Sequence, residues 1–248
     1  MSRHRDENTP DILYGIHAVR EAVFSRSIDH VLVREGAVSG RVREILSECR
    51  SRKIPVRFVP RAALDRLAGA THHQDVAAIA SAKAYDDLDT LIRAQSTALL
   101  VVLDGVEDPA NLGAIIRTTV AAGASGVVVA ERRAAGLTSA VARAAAGVLE
   151  HARVARVKNL VRSLVELKER GIWVYGFEAK APKSYLELDY NVPCALVIGG
   201  EGQGLHRLVR EACDQCAAIP LQRPVESLNV SVAAGIVLYE ALRQRSVE

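Results

Sequence analysis

Aromatic side chains are scarce and long apolar runs are absent in this sequence of 248 residues. Phenylalanine, tyrosine and tryptophan make up 4% of it, which does not indicate a surface for stacking nucleic-acid bases. No apolar run approaches the roughly 20 residues of a membrane-spanning helix. The first residues, MSRHRDENTPD, lack the apolar core of a secretory signal. We therefore expect a cytoplasmic protein without a membrane partner.

Two common nucleotide-binding motifs are also missing. No G-x-G-x-x-G follows a predicted strand, and no G-x-x-x-x-G-K-[ST] occurs in the chain. The first motif is the phosphate-binding turn of dinucleotide-binding folds, and the second is that of P-loop NTPases. Their absence disfavours a metabolic α/β protein that binds nucleotides. Tight binding of a nicotinamide dinucleotide would restore that alternative.

Cysteine and histidine do not form a metal-binding pattern. Cys213-x-x-Cys216 lacks the second pair of ligands that a zinc site needs, and its first cysteine is not at a helix start, as a redox motif would require. His72-His73-Gln74 has no further ligand at suitable spacing. We predict no metal, reduced and partly buried thiols, and a histidine loop that either contacts a ligand or RNA or is a plain surface turn.

The positive charge is concentrated in the first third of the chain. The net charge is +3, and residues 1–82 hold 13 Lys/Arg against 10 Asp/Glu, whereas residues 83–248 hold 19 of each. Such a surplus suits contact with a phosphate backbone, although a charged helix face is often simply solvated. The basic residues that lie close together are Arg41, Arg43, Arg50, Arg52, Lys53 and Arg57.

The pattern of apolar residues predicts two α/β domains. Residues 1–11 are polar and predicted to be disordered, 12–82 form a compact α/β unit, 83–95 form a linker, and 96–248 form a second domain. In this second domain strands alternate with helices, which predicts a parallel sheet covered on both faces. Its strands are predicted at 98–103, 126–130, 153–157, 172–177, 194–198 and 216–219, and its helices at 111–122, 138–149, 159–170, 205–212 and 229–243.

Polar loops follow the buried strands of the second domain, and open α/β sheets bind ligands at the carboxyl ends of their strands. Asn111 suits the N-cap of the helix after the first strand, but Gly113 is poor for a helix and Arg117 lies off its apolar face. A later loop holds Glu201 among glycines. A third loop ends in Ser227-Leu228-Asn229.

The last predicted helix is apolar on every side. From Val230 to Leu242 nearly every residue is apolar, and such a helix must be buried all round. A terminal helix of a small domain has too little of its own chain around it for that. We therefore predict a homodimer that uses this helix, with two-fold symmetry.

Three ordered motifs carry a resemblance to a known family. They are N-x-G-x-x-x-R at Asn111–Arg117, G-x-E-x-x-G at Gly199–Gly204, and I-P followed by S-L-N-V-S at Ile219–Ser231. Together they resemble the SpoU/TrmH branch of the SPOUT RNA methyltransferases. The first domain, with YGIHAVREAV near its start, looks like the small ribosomal-protein-like RNA-binding domain that several members carry.

The resemblance implies a parallel-sheet SPOUT domain with a deep trefoil knot, and S-adenosylmethionine as the cofactor. The expected substrate is a ribose 2′-hydroxyl of RNA, not DNA, in a guanosine of 23S rRNA or an assembling large ribosomal subunit. By motif matching, the cofactor-binding residues are Gly199, Ile219 and Leu228. The matching catalytic residues are Asn111, Arg117, Glu201, Ser227 and Asn229.

The chemistry is compatible with these roles. In-line attack of an oxygen on a sulfonium methyl depends on positioning. Arginine keeps its proton in proteins and is not an ordinary base, so we expect Arg117 to clamp the target's phosphate and hydroxyl. Glu201 would orient Arg117 or the cofactor, while Ser227 and Asn229 shape the pocket. Arg223 replaces a glycine that the family usually has, which puts the local loop shape in question.

Other functions remain open at this point. The same chemistry could act on a tRNA ribose or on an rRNA adenosine. A non-catalytic RNA-binding or ribosome-assembly protein could retain the fold, although the intact motif residues speak against it.

Overall fold

The computed structural model describes residues 11–36, 38–69, 72–200, 204–222 and 225–246. The chain divides into two compact units, and neither is continuous in sequence. The first comprises the chain up to Ala84 together with Gly136–Glu150. The second comprises Tyr85–Ala135 and the chain from His151 onward.

The first unit is built on a four-stranded mixed sheet with the order β1-β4-β2-β3. β4 pairs antiparallel with both β1 and β2, and β2 pairs parallel with β3. The alternation of apolar residues places Val31 and Val33 against α1 and α2. The elements are β1 (Asp11–Tyr14), α1 (Ile16–Ser25), β2 (Ile28–Arg34), α2 (Gly40–Ser51), β3 (Val56–Val59), α3 (Arg61–Ala68) and β4 (Val76–Ala80).

A buried arginine ties the returning segment 136–150 to this unit. Arg26 Nε donates to Glu150 Oε2 over 2.8 Å, and Arg26 Nη1 donates to Asp11 Oδ2 over 3.0 Å. All three side chains are at most 6% exposed. Asp11, assigned to the tail in the sequence analysis, therefore begins a strand and takes part in the core.

The helix predicted over 138–149 is shorter and broken. α6 runs over Ser139–Ala144, and a separate 3₁₀ turn covers Val148–His151. Between them Ala146 has φ 52° and Gly147 has φ 87°, so the backbone leaves the helical region. Within the first unit, the guanidinium of Arg143 stacks over the ring of Tyr14 with 4.2 Å to the ring centroid.

The second unit contains a seven-stranded sheet with the order β7-β6-β5-β10-β8-β11-β9. Every pairing in it is parallel, as predicted from the alternating strands and helices. The strands are β5 (Leu99–Asp104), β6 (Gly126–Ala130), β7 (Val154–Val157), β8 (Trp173–Phe177), β9 (Lys183–Ser184), β10 (Cys194–Gly199) and β11 (Gln215–Ala218). The helices are α4 (Leu88–Ile92), α5 (Pro109–Ala121), α7 (Leu160–Glu169), α8 (Arg207–Ala212) and α9 (Val230–Arg245).

The central strands of this sheet position the candidate site. β5 is buried along its whole length, and β10 runs beside it in a register that pairs Gly199 with Asp104. Both strands thus end at the same edge of the sheet. The loops after them, and the start of α5, meet there because parallel strands present their carboxyl ends together.

The last helix, α9, packs along α5 but is not buried on every side within one chain. Ala234, Val237, Leu238 and Ala241 are buried. On another side of the helix Val232 and Tyr239 are 50% and 53% exposed, and Ile236 between them is partly exposed. Their spacing of four and three residues makes one apolar stripe, which we call the α9 stripe.

Within the described ranges, no helix combines the length and apolar character that a membrane crossing demands.

Candidate active site at the carboxyl end of the parallel sheet

A pocket of about 440 Å³ opens where β5 and β10 end. Its walls come from the loops after β5 and β6, the start of α5, the glycine loop after β10 and the start of α9. Both polar and apolar groups line it. The described lining residues are Asp104, Gly105, Val106, Glu107, Asp108, Asn111, Arg133, Gly200, Gly204, His206 and Val230.

Asp108, not Asn111, caps the helix that borders this pocket. Its carboxylate accepts hydrogen bonds from the backbone N–H of Ala110 (3.3 Å) and Asn111 (3.1 Å), and Pro109 occupies the first helical position. The N-cap assignment of Asn111 was therefore wrong, because aspartate followed by proline is an equally good helix start three residues earlier. The Asn111 side chain therefore does not cap this helix.

Asn111 contacts Asn229, so the first and third motifs meet. Asn229 Nδ2 donates to Asn111 Oδ1 over 3.0 Å across a sequence separation of 118 residues. The Asn229 side-chain oxygen also accepts from the backbone N–H of Ser231 (2.9 Å) and Val232 (3.3 Å), which makes Asn229 the N-cap of α9. The start of α9 is thereby fixed against the start of α5.

A second polar group connects Asp104, His206 and Arg133. The buried Asp104 carboxylate accepts from the His206 backbone N–H (2.7 Å) and lies 2.9 Å from ring atom Nδ1. His206 Nε2 lies 3.3 Å from Nη1 of Arg133. Because guanidinium can only donate, a neutral imidazole with its proton on Nδ1 satisfies both contacts.

The glycines at the end of β10 are required by close backbone approach. A Cβ atom at Gly199 would lie 2.1 Å from the carbonyl carbon of Gly204, and one at Gly200 would lie 2.1 Å from the carbonyl oxygen of Gly105. No side chain fits at either position without moving backbone. Gly199 is therefore packed closely against the backbone of Gly204, and Gly200 against the backbone of Gly105 in the loop after β5.

The remaining predicted site residues lie in several environments. Arg117 is exposed on α5 and does not line the pocket, and Ser227 is also exposed. Ile219 and Leu228 are half-buried, near the end of β11 and the start of α9. Glu201, in the glycine loop, and Arg223 lie outside the described residues.

The cysteine pair and the histidine pair have structural environments. Cys213 ends α8, and burial raises the pKa of its thiol to about 12 and that of Cys216 in the same direction. His73 is buried, with Nε2 3.1 Å from Asp65 and Nδ1 accepting from the Asp75 N–H. In the described part of the chain no three His, Cys, Asp or Glu side chains cluster as metal ligands.

Sequence reasoning did not identify Asp104, Arg133 or His206 as site residues. Asp104 ends an otherwise apolar strand, Leu99–Asp104, which is a usable signal in hindsight. Arg133 and His206 are 73 residues apart and belong to no motif, so only the fold reveals their proximity.

Comparison with known proteins agrees with this architecture. Residues 98–239 match the SpoU rRNA Methylase family, and residues 12–86 match the family described as RNA 2′-O ribose methyltransferase substrate binding. The chain is 43% identical over 241 residues to YacO of Bacillus subtilis, which is named for the TrmH family of tRNA/rRNA methyltransferases. That alignment covers 95% of this chain and 96% of YacO.

Solved structures are similar over nearly the whole chain. The SpoU methyltransferase AviRb from Streptomyces viridochromogenes, in complex with AdoMet, superposes with a TM-score of 0.80 at 29% identity, covering 94% of this chain and 90% of that one. An RNA 2′-O ribose methyltransferase gives 0.83 at 28% identity, covering 99% and 92%. With both family matches in chain order and the motif residues Asn111 and Asn229 in contact, this chain belongs to the SpoU/TrmH family of RNA 2′-O-ribose methyltransferases.

Proposed function

We propose that this protein transfers a methyl group from S-adenosylmethionine to the ribose 2′-hydroxyl of a guanosine in 23S rRNA, free or in an assembling large subunit. The observation that carries the proposal is the hydrogen bond between Asn111, which lines the pocket, and Asn229. It joins two family motifs that are remote in sequence, at the edge of the sheet where ligands bind.

The residues at this edge fit the proposed cofactor. Gly199 and Gly200 leave no space for side chains, so backbone groups form the wall there. Ile219 and Leu228 are half-buried apolar residues suited to an adenine ring. When bound, S-adenosylmethionine supplies an electrophilic methyl group on a sulfonium. We propose Gly199, Ile219 and Leu228 as its binding residues.

The chain's own residues would orient the RNA. Asn111 and Asn229 hold the two helix starts together, and Ser227 lies just before Asn229. Glu201 remains a proposed orienting carboxylate. Arg117 would clamp the target phosphate and hydroxyl, since a guanidinium only donates hydrogen bonds and is a poor base. Replacement by lysine would lose the planar two-pronged contact, so we expect Arg117→Lys to be impaired.

We further propose a homodimer through α9. Arg117 is exposed outside the pocket of its own chain, and it lies on α5, the helix against which α9 packs. The α9 stripe on the same helix pair leaves two large apolar side chains about half exposed. A second copy placed on these helices would cover the stripe and bring the partner's Arg117 toward this pocket.

The division of labour between the two parts of the chain is also a proposal. Residues 12–82 would bind the RNA substrate, and residues 96–248 would bind the cofactor and perform the transfer. The trefoil knot belongs to the same proposal, supported by the tight approach of Gly200 to the loop after β5. Ribosomal RNA is favoured over tRNA by the family name of the catalytic region.

The test is methyl transfer from labelled S-adenosylmethionine to total bacterial RNA that lacks the modification, with Arg117→Ala as control. We expect 2′-O-methylguanosine in large-subunit rRNA, lost in the variant. Label in tRNA, or in another 2′-O-methylnucleoside, would keep the chemistry and replace the proposed target. Cofactor binding without transfer to either naked RNA or ribosomal particles would contradict the proposal.

A further inference from the structure

Arg133 stands at the rim of the candidate pocket in an unusual backbone conformation. Its φ is 56°, in the left-handed region that residues with side chains rarely occupy. Its side chain is exposed and lines the pocket that also contains Asn111. Strained backbone persists where surrounding contacts hold it and is frequent at binding sites. We therefore expect contacts that hold Arg133 in this position.

A chain of hydrogen bonds from Asp104 through His206 holds the Arg133 side chain in place. Asp104 is 7% exposed and receives both the backbone N–H and ring atom Nδ1 of His206, at 2.7 and 2.9 Å. The ring is therefore fixed by two contacts to one buried carboxylate. Its far nitrogen, Nε2, lies 3.3 Å from Arg133 Nη1, which donates a hydrogen bond to it. Asp104 thus holds His206, and His206 holds Arg133.

His206, which contacts Arg133, does not neutralise the positive charge of the Arg133 guanidinium. In the described part of the chain, most arginines that contact another side chain face carboxylates, as Arg26 does with Glu150 and Asp11. Among the described residues, none of the carboxylates forms an ion pair with Arg133. A neutral imidazole orients the guanidinium without neutralising it, and arginine offers five N–H donors, of which this contact uses one. The remaining donors suit a planar two-pronged contact with an oxyanion.

We propose that Arg133 binds a backbone phosphate of the RNA substrate and that His206 is the positioning residue that aims it. The inference rests on the proposed function, because it takes the pocket as the place where the target ribose enters. Glu107 and Asp108 line the same pocket and repel a small free anion. An RNA phosphate can still bind there, because other contacts along the strand hold it in place.

The first experiment measures RNA binding and needs no turnover. The probe is an unmethylated 23S rRNA transcript, titrated at several salt concentrations against the wild type and Arg133→Ala. Loss of one phosphate contact should lower the slope of log affinity against log salt by about 1 and weaken binding on the order of ten-fold at low salt. The matched control is Arg132→Ala, an exposed neighbour that does not line the pocket.

The second experiment tests whether His206 acts through Arg133. We expect His206→Ala to weaken RNA binding in the wild-type background and to add nothing in the Arg133→Ala background. His206→Gln should restore much of the loss, because its amide can donate to Asp104 and accept from Arg133. Thermal melting of each variant separates loss of folding from loss of this contact.

These outcomes do not depend on whether methyl transfer occurs. A wild type that binds the 23S rRNA transcript no better than a tRNA transcript would contradict the proposed target, and the same variants are then compared on the tRNA transcript. An unchanged salt slope in Arg133→Ala, an equal loss in Arg132→Ala, or additive losses for Arg133 and His206 would overturn the proposal. A third arm measures S-adenosylmethionine binding by calorimetry. Weaker cofactor binding with unchanged RNA binding would identify the cofactor's carboxylate as the oxyanion and would also overturn it.

Discussion

At the scale of single residues, Asn229 combines two roles that substitution can separate. Its side-chain oxygen caps α9, and its side-chain nitrogen donates to Asn111. Aspartate keeps the capping oxygen but has no N–H to donate. The two functions therefore predict different behaviour for two variants at one position.

We expect Asn229→Ala to lower the free energy of unfolding by about 1 kcal/mol through loss of the cap. Asn229→Asp should keep that stability but lower kcat/KM on the order of 100-fold, because small misplacements of a site have such effects. Urea unfolding and methyl-transfer kinetics measure the two quantities. Equal activity of Asn229→Asp and the wild type would show that the contact to Asn111 is dispensable.

The thiol of Cys213 should be unreactive in the folded protein. Its pKa is raised from 9.0 to about 12, mainly by burial, so at pH 8 on the order of one molecule in ten thousand carries the reactive thiolate. Alkylation of Cys213 by iodoacetamide should be at least about 100-fold slower in the native protein than in urea, as followed by peptide mass spectrometry. Comparable rates would contradict the buried environment.

The same pKa shift makes stability depend on alkaline pH. The folded state holds the Cys213 proton more tightly than the unfolded chain does. Its contribution to stability is therefore complete below pH 9 and is lost progressively as the pH rises toward about 12.

Sequence analysis of individual residues led to one candidate site where a motif existed, and the roles of these residues stay predictions. Asn111 and Asn229 were both expected at one site, and they are in contact. Asp104, His206 and Arg133 were not expected, because their relation depends on which strands are neighbours in the sheet. A lone histidine after a glycine loop carries no pattern that periodicity or spacing could detect.

At the scale of elements, the two ends of the glycine loop should respond differently to the same substitution. A methyl group at Gly200 would sit 2.1 Å from the Gly105 carbonyl oxygen, whereas at Gly204 it would meet nothing within 4 Å. Gly204 has φ 64°, so alanine there is strained only by its backbone, at about 1 kcal/mol.

We expect Gly200→Ala to lower the free energy of unfolding by about 3 kcal/mol or to prevent folding, because backbone must move. Gly204→Ala is the matched control, with the smaller cost given above. Chemical denaturation of both variants measures the difference. Similar denaturation midpoints for the two variants would mean that the loop after β5 can move away from Gly200 without loss of stability.

Helices and strands were predicted well where a periodic pattern of apolar residues extends over several turns. They were predicted poorly where one or two residues determine the start or end of an element. α5 and α9 follow the predicted ranges closely, since their apolar faces span three or more turns. β1 was missed because it has four residues and adjoins a polar stretch. The break after α6 depends on the backbone angles of Ala146 and Gly147, which no local preference for alanine would suggest.

At the scale of the whole molecule, the predicted fold class and family are confirmed by the parallel sheet and the family matches. Their prediction came from ordered motifs and not from periodicity alone. Return of residues 136–150 to the first unit was beyond sequence reasoning, because it rests on remote packing such as Arg26 against Glu150.

The proposed dimer gives a prediction at this scale. We expect Val232→Glu on the α9 stripe to halve the mass measured by sedimentation at micromolar concentration, because an ionised carboxylate cannot be buried in an apolar contact. Chain folding should be unaffected, since Val232 is half exposed within one chain.

Leu208→Glu is the control for this change, because Leu208 is similarly exposed but lies on α8. A monomeric wild type would refute the dimer. If the partner's Arg117 completes the pocket, Val232→Glu should also lose methyl transfer while retaining its melting temperature.

The discontinuity of the first unit bears on how the protein is made. During synthesis, the sheet of this unit is complete once Ala80 has left the ribosome, but Glu150, which accepts from Arg26, emerges 70 residues later. Until then Arg26 and Asp11 lack their third partner, and Tyr14 lacks Arg143. The growing chain must therefore carry an unfinished first unit while two strands of the second, β5 and β6, are already being synthesised. A fragment that stops near Ala84 would reproduce that unfinished intermediate and not the mature unit.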